Sequence, residues 1–483
     1  MSSPIPVTAI FDIGKTNKKF LLFDDRFNIV YRRNNNLDET TDNKGFPCED
    51  IELLNRWIHE VTEEVTHQNK YTIRQLNGSA YGATLVHLDK NGTPAAPIEN
   101  YLKPYPEELK ANFYDMYCGK NQFSVETSSP PMGMLNSGLQ LYRIKHENPD
   151  LLKSIDATLH LPQYITYLFT GRKTADLTSL GCHTGMWHYG ENSYHPWLRK
   201  EKLQNLLPDP ELPIKTTNGR FGDHHFETGI GIHDSSAALV PYLIGLEEPF
   251  IQLSTGTWSI AMNPFTQTEL SYNDIKRDCL QYLNIYGEPV KASRLLLGAE
   301  YSHQLEKTAA HFCRSRKTPE CGPDPSLLYE LISNPDPDRK LILEKAGETG
   351  PYPHTGNGTW NLDIFNTFGE AFHQLMLDLV SIQADAIRLA EGESTFEQII
   401  ITGGFAKNSF FCRLLANHFP DKKIYTASTS YASALGAALV INYETINAGG
   451  VKDLLGLNLV NPIDGVPVGD YAWADSLSQT YQK

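Results

Sequence analysis

An α/β protein of two domains is what the sequence predicts, on three observations. The chain has 483 residues, more than one hydrophobic core ordinarily serves. Both halves alternate short apolar runs of strand character with longer stretches whose apolar residues recur at steps of three and four. A glycine-bearing turn flanked by two such runs also occurs once in each half. The cut is expected just past residue 245, giving domains of 1–245 and 246–483.

The N-terminal half opens with strands over Val7–Asp12, Lys19–Asp24 and Asn28–Arg32. A helix follows over Asp50–Gln68, where Ile51, Leu54, Trp57, Ile58, Val61 and Val65 share a face. Strand character returns around Leu76–Leu88 and stops at the turn Asp89-Lys90-Asn91-Gly92. Helices are expected over Leu139–Lys145 and from Leu161 through Phe169, ending near Gly171. The Pro- and Gly-punctuated stretch Leu207–Gly231 reads as a connection into the helix start at Asp234.

In the second half, the longest helix is expected over Asn366–Glu391, stopped by Gly392. Strand Gln398–Thr402 leads through Gly403-Gly404 into a helix over Asn408–Phe419. Strand Lys423–Thr426 then leads into a helix over Ala432–Tyr443. The Pro- and Asp-rich segment 325–340 reads as an exposed loop.

Composition narrows the function classes. Hydrophobic residues make up 40% and aromatics 11%, enough for packed cores. The formal charge of −15 opposes non-specific binding to nucleic acid or anionic membranes. Cys48, Cys118, Cys182, Cys279, Cys313, Cys321 and Cys412 form no C-x-x-C pair, which argues against zinc and a disulfide framework. No basic leader and no apolar run of ~20 residues is present, so a cytoplasmic location is expected.

The two glycine turns carry the chemistry. Asp12-Ile13-Gly14-Lys15-Thr16-Asn17 and Ser254-Thr255-Gly256-Thr257-Trp258 each read as strand, tight turn, strand. Successive N–H groups at such a tip form a concavity that suits phosphate oxygens. Gly14-Lys15-Thr16 imitates the end of a P-loop, but the required first glycine would fall on Ala9, inside the apolar strand.

With four stretches in order, the chain resembles the FGGY family of carbohydrate kinases. Asp12–Lys18 and Leu253–Ser259 are similar to its two phosphate motifs. Thr402-Gly403-Gly404-Phe405-Ala406-Lys407-Asn408 is similar to its adenosine motif, and Gly231-Ile232-His233-Asp234 to the segment with its catalytic aspartate. The resemblance implies two actin-like (ribonuclease H-like) α/β domains flanking a deep catalytic cleft, with sugar bound mainly by the first domain and ATP by the second. Residues 233–237 and 254–259 resemble members acting on L-rhamnulose, and Gly14–Asn17 those acting on L-fuculose. Both sugars are deoxy-ketohexoses phosphorylated at O1.

The resemblance assigns Asp234 as proton acceptor, against its plain reading as a helix N-cap. Asp12 becomes the Mg²⁺ carboxylate, against a turn-capping aspartate. Gly14, Lys15, Thr16, Asn17, Thr255, Gly256 and Thr257 become phosphate contacts, although both tips could be ordinary hairpin turns. Gly403, Gly404 and Asn408 become adenosine contacts, and Tyr81, Gly82 and His233 sugar contacts beside Asp234. Where the family often carries an aromatic followed by an acid and an arginine, this chain reads Tyr101-Leu102-Lys103-Pro104-Tyr105. Either Glu99 and Asn100 take over those polar contacts or the substrate differs from the family's usual polyols, and Gln163-Tyr164 either reaches the pocket or is a buried helix start.

The expected ligands are ATP, Mg²⁺ and a sugar, with no nucleic acid and no membrane, and a homodimer is the assembly to test. Alternatives within the family are kinases of xylulose, ribulose, gluconate or glycerol. An actin- or Hsp70-like ATPase and a non-catalytic sugar-binding regulator lie outside it.

Overall fold

Apolar residues from Val7 to Ile13 build the middle strand of the first sheet, Ile5–Ile13, buried from Val7 onward. The computed structural model describes residues 3–314, 322–353, 358–429 and 431–469. The strand turns antiparallel into Lys18–Phe23, pairing Ile13 with Lys18 and Asp12 with Lys19, and Lys18–Phe23 pairs in turn with Ile29–Asn35. On its other side Ile5–Ile13 lies parallel to Tyr71–Ala80, and beyond that come His224–Gly229 and Thr216–Phe221. The last two strands occupy the Leu207–Gly231 stretch read as a connection. Thr216–Phe221 alternates exposed and partly buried residues at a sheet edge, so its apolar signal is weak.

The helix Ile51–His67 starts where Asp50 accepts the Leu53 N–H at 2.9 Å, and it buries Leu54, Trp57, Ile58, Val61 and Val65. These pack with Phe11, Phe20, Leu161 and Ile165 into one core. A second core of the same unit joins Ile10, Leu21 and Ile232 to Ala237, Val240, Ala434, Ala437 and Ala438. There the helices Asp234–Gly245 and Ala432–Ile441 meet almost backbone to backbone. A side chain at Gly436 would overlap the Ala237 carbonyl.

The chain divides into two compact units: Met1–Leu246 with Gln281–Pro289 and Ser430–Leu454, and Glu247–Leu280 with Val290–Thr429 and Leu455–Lys483. The continuous part of the first unit thus ends one residue past the cut expected at 245. The helix Ala432–Ile441, expected in the second domain, belongs to the first.

The second unit holds a sheet whose strands Ser259–Asn263, Phe250–Thr255, Gln398–Gly403, Lys423–Ala427 and Leu457–Val460 pair side by side in that order. Helix Phe368–Glu391 packs on it, N-capped by Thr367 and ended by Gly392 at φ 60°. The segment read as a loop over 325–340 contains the helix Pro325–Ser333, capped by Asp324, with Leu328 and Leu331 buried. Proline sits there at a helix start, where its missing N–H costs nothing. No helix of the described residues is long and apolar enough to cross a membrane.

Candidate active site

In the first unit the hairpin tip after Asp12 closes through Gly14, whose N–H donates to the Asn17 carbonyl at 2.9 Å. Asp12 ends a buried strand, so its carboxylate is held rigidly. One oxygen accepts from Lys19 Nζ at 2.8 Å and the other from Ser433 Oγ at 2.9 Å. Lys18 is fully buried, paired with Glu49, and donates to the Gly14 and Lys15 carbonyls at 3.2 and 2.9 Å. It staples the tip from below. Lys15 pairs with Glu39 at 2.5 Å and lies 3.6 Å from Glu49.

Asp234 is the first residue of its helix, and His233 takes the N-cap place without a side-chain cap bond. The capping reading of Asp234 therefore does not describe it. Its side chain keeps 33% of its surface accessible and lies 3.3 Å from His233 Nε2. Burial, and then the negative charge of Asp12, push the Asp234 carboxyl up to about 7, against the opposing pull of Ser235 and Lys19. Burial holds His233 neutral, its basicity lowered to about 3.

His233 is fixed from several sides. Its backbone N–H donates to Thr178 Oγ1 at 3.0 Å, and its ring stacks on Tyr282 at 5.7 Å. Cys182 Sγ lies 3.1 Å from Nε2. Thr178 in turn donates to the buried Asp176, which also accepts from Gln163 Nε2 at 2.7 Å. A Cβ on Gly82 would come within 2.9 Å of both Cys182 Sγ and His233 Nε2, so glycine is what allows this approach. Tyr81 donates to Glu49 at 2.8 Å and meets the Tyr101 ring edge-on at 6.0 Å. The structure thus gathers Asp12, Lys15, Tyr81, Gly82, His233 and Asp234 in one unit.

The substitutes proposed for the missing acid and arginine are spent elsewhere. Glu99 pairs with Lys103 at 2.7 Å, and Asn100 Oδ1 accepts the Leu102 N–H at 3.0 Å, shaping the turn. Lys103 also pairs with Asp42, and Tyr105 donates to the Leu139 carbonyl at 3.1 Å. Gln163 bonds Asp176 and the Ile230 carbonyl, while Tyr164 bonds Asn55, which makes them buried framework.

In the second unit Thr255 has a structural task. Its hydroxyl donates to the Thr402 carbonyl and accepts the Phe405 N–H at 3.0 Å, and its carbonyl accepts the Gly404 N–H at 2.8 Å. Gly403 has φ +82°, and a Cβ there would overlap the Thr255 carbonyl. The Thr255 hydroxyl is thus engaged in joining the two strand ends. Gly256 and Thr257 are exposed. With Gly298, Tyr301, Ser302, Gly404, Phe405 and Asn408 they line a cavity of about 260 Å³. Asn408 also caps the helix Ser409–His418 by accepting the Phe411 N–H at 3.0 Å.

Sequence reasoning missed Glu49, Lys19, Ser433, Cys182 and Tyr282 in the first unit, and Gly298, Tyr301 and Ser302 in the second. Only Lys19 left a signal, since pairing across the hairpin sets it opposite Asp12.

Away from this site, Glu126, His188 and His195 come together at metal-ligand spacing. Both imidazoles accept a backbone N–H at Nδ1, from Glu191 at 3.2 Å and Trp197 at 3.3 Å, which leaves the proton on Nε2. The trio therefore reads as a carboxylate gripped by donors.

The N-terminal domain model of the FGGY family of carbohydrate kinases matches residues 7–198, and the C-terminal domain model of carbohydrate kinase FGGY matches residues 247–448. A rhamnulokinase of Oceanobacillus iheyensis is 22% identical over 443 residues, covering 85% of this chain and 86% of its own. A rhamnulokinase of Bacillus subtilis is 25% identical over 342 residues, 65% of each chain. Among solved structures, a carbohydrate kinase from Novosphingobium aromaticivorans superposes with a TM-score of 0.82 at 24% identity over 99% of both chains. A ligand-bound xylulose kinase from Lactobacillus acidophilus gives 0.78 at 15% identity over 99% of this chain and 96% of its own.

Proposed function

The chain belongs to the FGGY family of carbohydrate kinases, and from that premise we propose that it transfers the γ-phosphate of ATP to O1 of a deoxy-ketohexose such as L-rhamnulose or L-fuculose. It is a sugar kinase with two actin-like α/β domains; the particular sugar, the metal and the residue roles are our reading. The observation that carries it is Asp234, an accessible carboxylate held by burial and by Asp12 at a proton affinity near neutrality. A base so poised can take a hydroxyl proton as the oxygen attacks phosphorus. His233, neutral and fixed, orients that carboxylate and presents an imidazole to the sugar beside Gly82. The rhamnulokinase relatives support the sugar class.

Asp12 fits a divalent cation by its charge balance. It already draws the Lys19 ammonium to one oxygen, and it raises Asp234 by repulsion, a deficit of positive charge that a cation would relieve. Mg²⁺ bound there with ATP would neutralise charge on the phosphates. The tip amides around Gly14, Thr16 and Asn17, and those around Gly256 and Thr257, suit phosphate oxygens. Gly403 and Gly404 shape the cavity with Asn408 where adenosine would lie.

The test is steady-state kinetics on L-rhamnulose, L-fuculose, D-xylulose, L- and D-ribulose, gluconate and glycerol. A deoxy-ketohexose should give the highest kcat/KM. A large margin for a pentulose, gluconate or glycerol overturns the sugar assignment, and ADP release that no sugar stimulates supports the ATPase alternative. Asp12→Asn should raise the Mg²⁺ concentration for half-maximal turnover ~10–100-fold, the usual size of a metal-site loss. An unchanged Mg²⁺ dependence would confine Asp12 to shaping the hairpin.

A further inference from the structure

Two groups of touching side chains, joined through the backbone at Tyr81-Gly82, lie between the surface and Asp234. Glu39 bonds Lys15 at 2.5 Å, Lys15 lies 3.6 Å from Glu49, and Glu49 accepts from the Tyr81 hydroxyl at 2.8 Å. Next to Tyr81, Gly82 lies against His233 Nε2, which is 3.3 Å from Asp234. Tyr101 packs on Tyr81 at 6.0 Å, and its phenol feels Lys15, Asp234, Glu39 and Glu49 together. These groups surround one patch of the first unit.

The charged members divide into two kinds. Lys18 and Glu49 keep 1% and 4% of their side-chain surface accessible and satisfy each other. Lys15 and Glu39 keep 22% and 41%. The outer pair is built on the inner one and still offers polar atoms to a ligand. An ion pair open on one side presents a donor and an acceptor within reach of neighbouring hydroxyls, the arrangement a polyol satisfies. An anion is less suited, because Lys15 stands between two carboxylates and its charge is already matched.

We propose that the Lys15–Glu39 pair is a specificity determinant of the acceptor site, with Glu39 accepting from one sugar hydroxyl and Lys15 donating to a neighbouring one. The pair supplies the polar recognition that Lys103 and Tyr105 cannot, since both are committed to the framework. This assigns Lys15 to the sugar and leaves the phosphate to the amides of its tip. The inference rests on the reading that the acceptor hydroxyl lies beside Asp234.

Kinetics of Glu39→Gln and Lys15→Met test it, with the best acceptor of the wild-type panel and with ATP varied separately. Glu39 is exposed, so its variant should keep the wild-type Tm. The acceptor KM should rise ~10–100-fold in each variant, the scale of a hydrogen bond to a charged group, while the KM for ATP stays within about twofold. Discrimination between the acceptor and its analogue lacking one hydroxyl should shrink in Glu39→Gln. If the best acceptor is not a deoxy-ketohexose, the sugar assignment fails, yet the pair stands wherever these shifts appear with that acceptor. An unchanged acceptor KM in Glu39→Gln, or a rise confined to ATP in Lys15→Met, overturns it.

Discussion

The two hairpin tips are worded alike and built differently. The tip after Asp12 is held by charge: Lys18 buried on Glu49, Lys19 on Asp12, Lys15 on Glu39. The tip after Thr255 carries no charged residue and is held by the Thr255 hydroxyl and by close backbone contact at Gly403. Similar turns therefore report a shared shape and leave the chemistry open. The charged tip brings the Asp12 carboxylate and the Lys19 ammonium close enough to act on Asp234. The neutral tip exposes Gly256 and Thr257 to a cavity lined mostly by small and polar residues.

If the chemistry resides with the charged region, Asp234→Asn should lower kcat ~10²–10⁴-fold while sugar and ATP still bind. Isothermal titration beside turnover checks both parts, and near-normal turnover of the folded variant would move the proton acceptor elsewhere. The pH profile of the wild type sharpens the point. Asp234 must be ionised to act as base, so kcat/KM should rise with pH through about 7.

Breaking each tip at its own support gives the next contrast. Lys18→Met leaves buried Glu49 with only the more distant Lys15 ammonium at 3.6 Å and should cost ~3–5 kcal/mol in urea unfolding. Thr255→Val removes a hydroxyl with two hydrogen bonds and should cost ~1–3 kcal/mol, including the unsatisfied Phe405 N–H. Equal losses would mean that the charged tip is no more dependent on its staple than the neutral one.

The smallest effect concerns stability and pH. The folded chain holds the Asp234 proton up to about 7, whereas an unfolded aspartate releases it near 3.8. The associated stability is full below the lower value and is lost as pH rises through the upper one. Asp234→Asn should thus raise Tm by ~2–4 °C at pH 8 and by much less at pH 4.5. A Tm difference independent of pH would show that Asp234 is not strained by its surroundings.

Much of this architecture was legible because it is local. Turn residues between apolar runs marked both hairpins, and the spacing of Leu54, Trp57, Ile58, Val61 and Val65 marked a helix that buries those side chains. Asp12, Gly82, His233 and Asp234 were singled out by resemblance, and the structure places them in one unit. Glu49 was not, because nothing near it in sequence announces that it will meet Lys18 and Tyr81. The helix Ala432–Ile441 is apolar on every face, which foretells burial but not in which unit. Lys15 was legible as a cation, but its pairing was not, since its matching carboxylate is 24 positions away.

The first unit takes its last helix from a stretch that follows most of the second. During synthesis the face formed by Ala237 and Val240 must wait for residues made about two hundred positions later, and the buried Asn77 amide, which bonds the Ala437 carbonyl at 3.1 Å, for one made 360 positions later. A ribosome would therefore release most of the second unit's strands before the first is complete, and neither half of the gene encodes a finished half of the protein. A fragment ending at Leu246 should be aggregation-prone, and supplying Ser430–Leu454 after it through a short linker should restore its solubility.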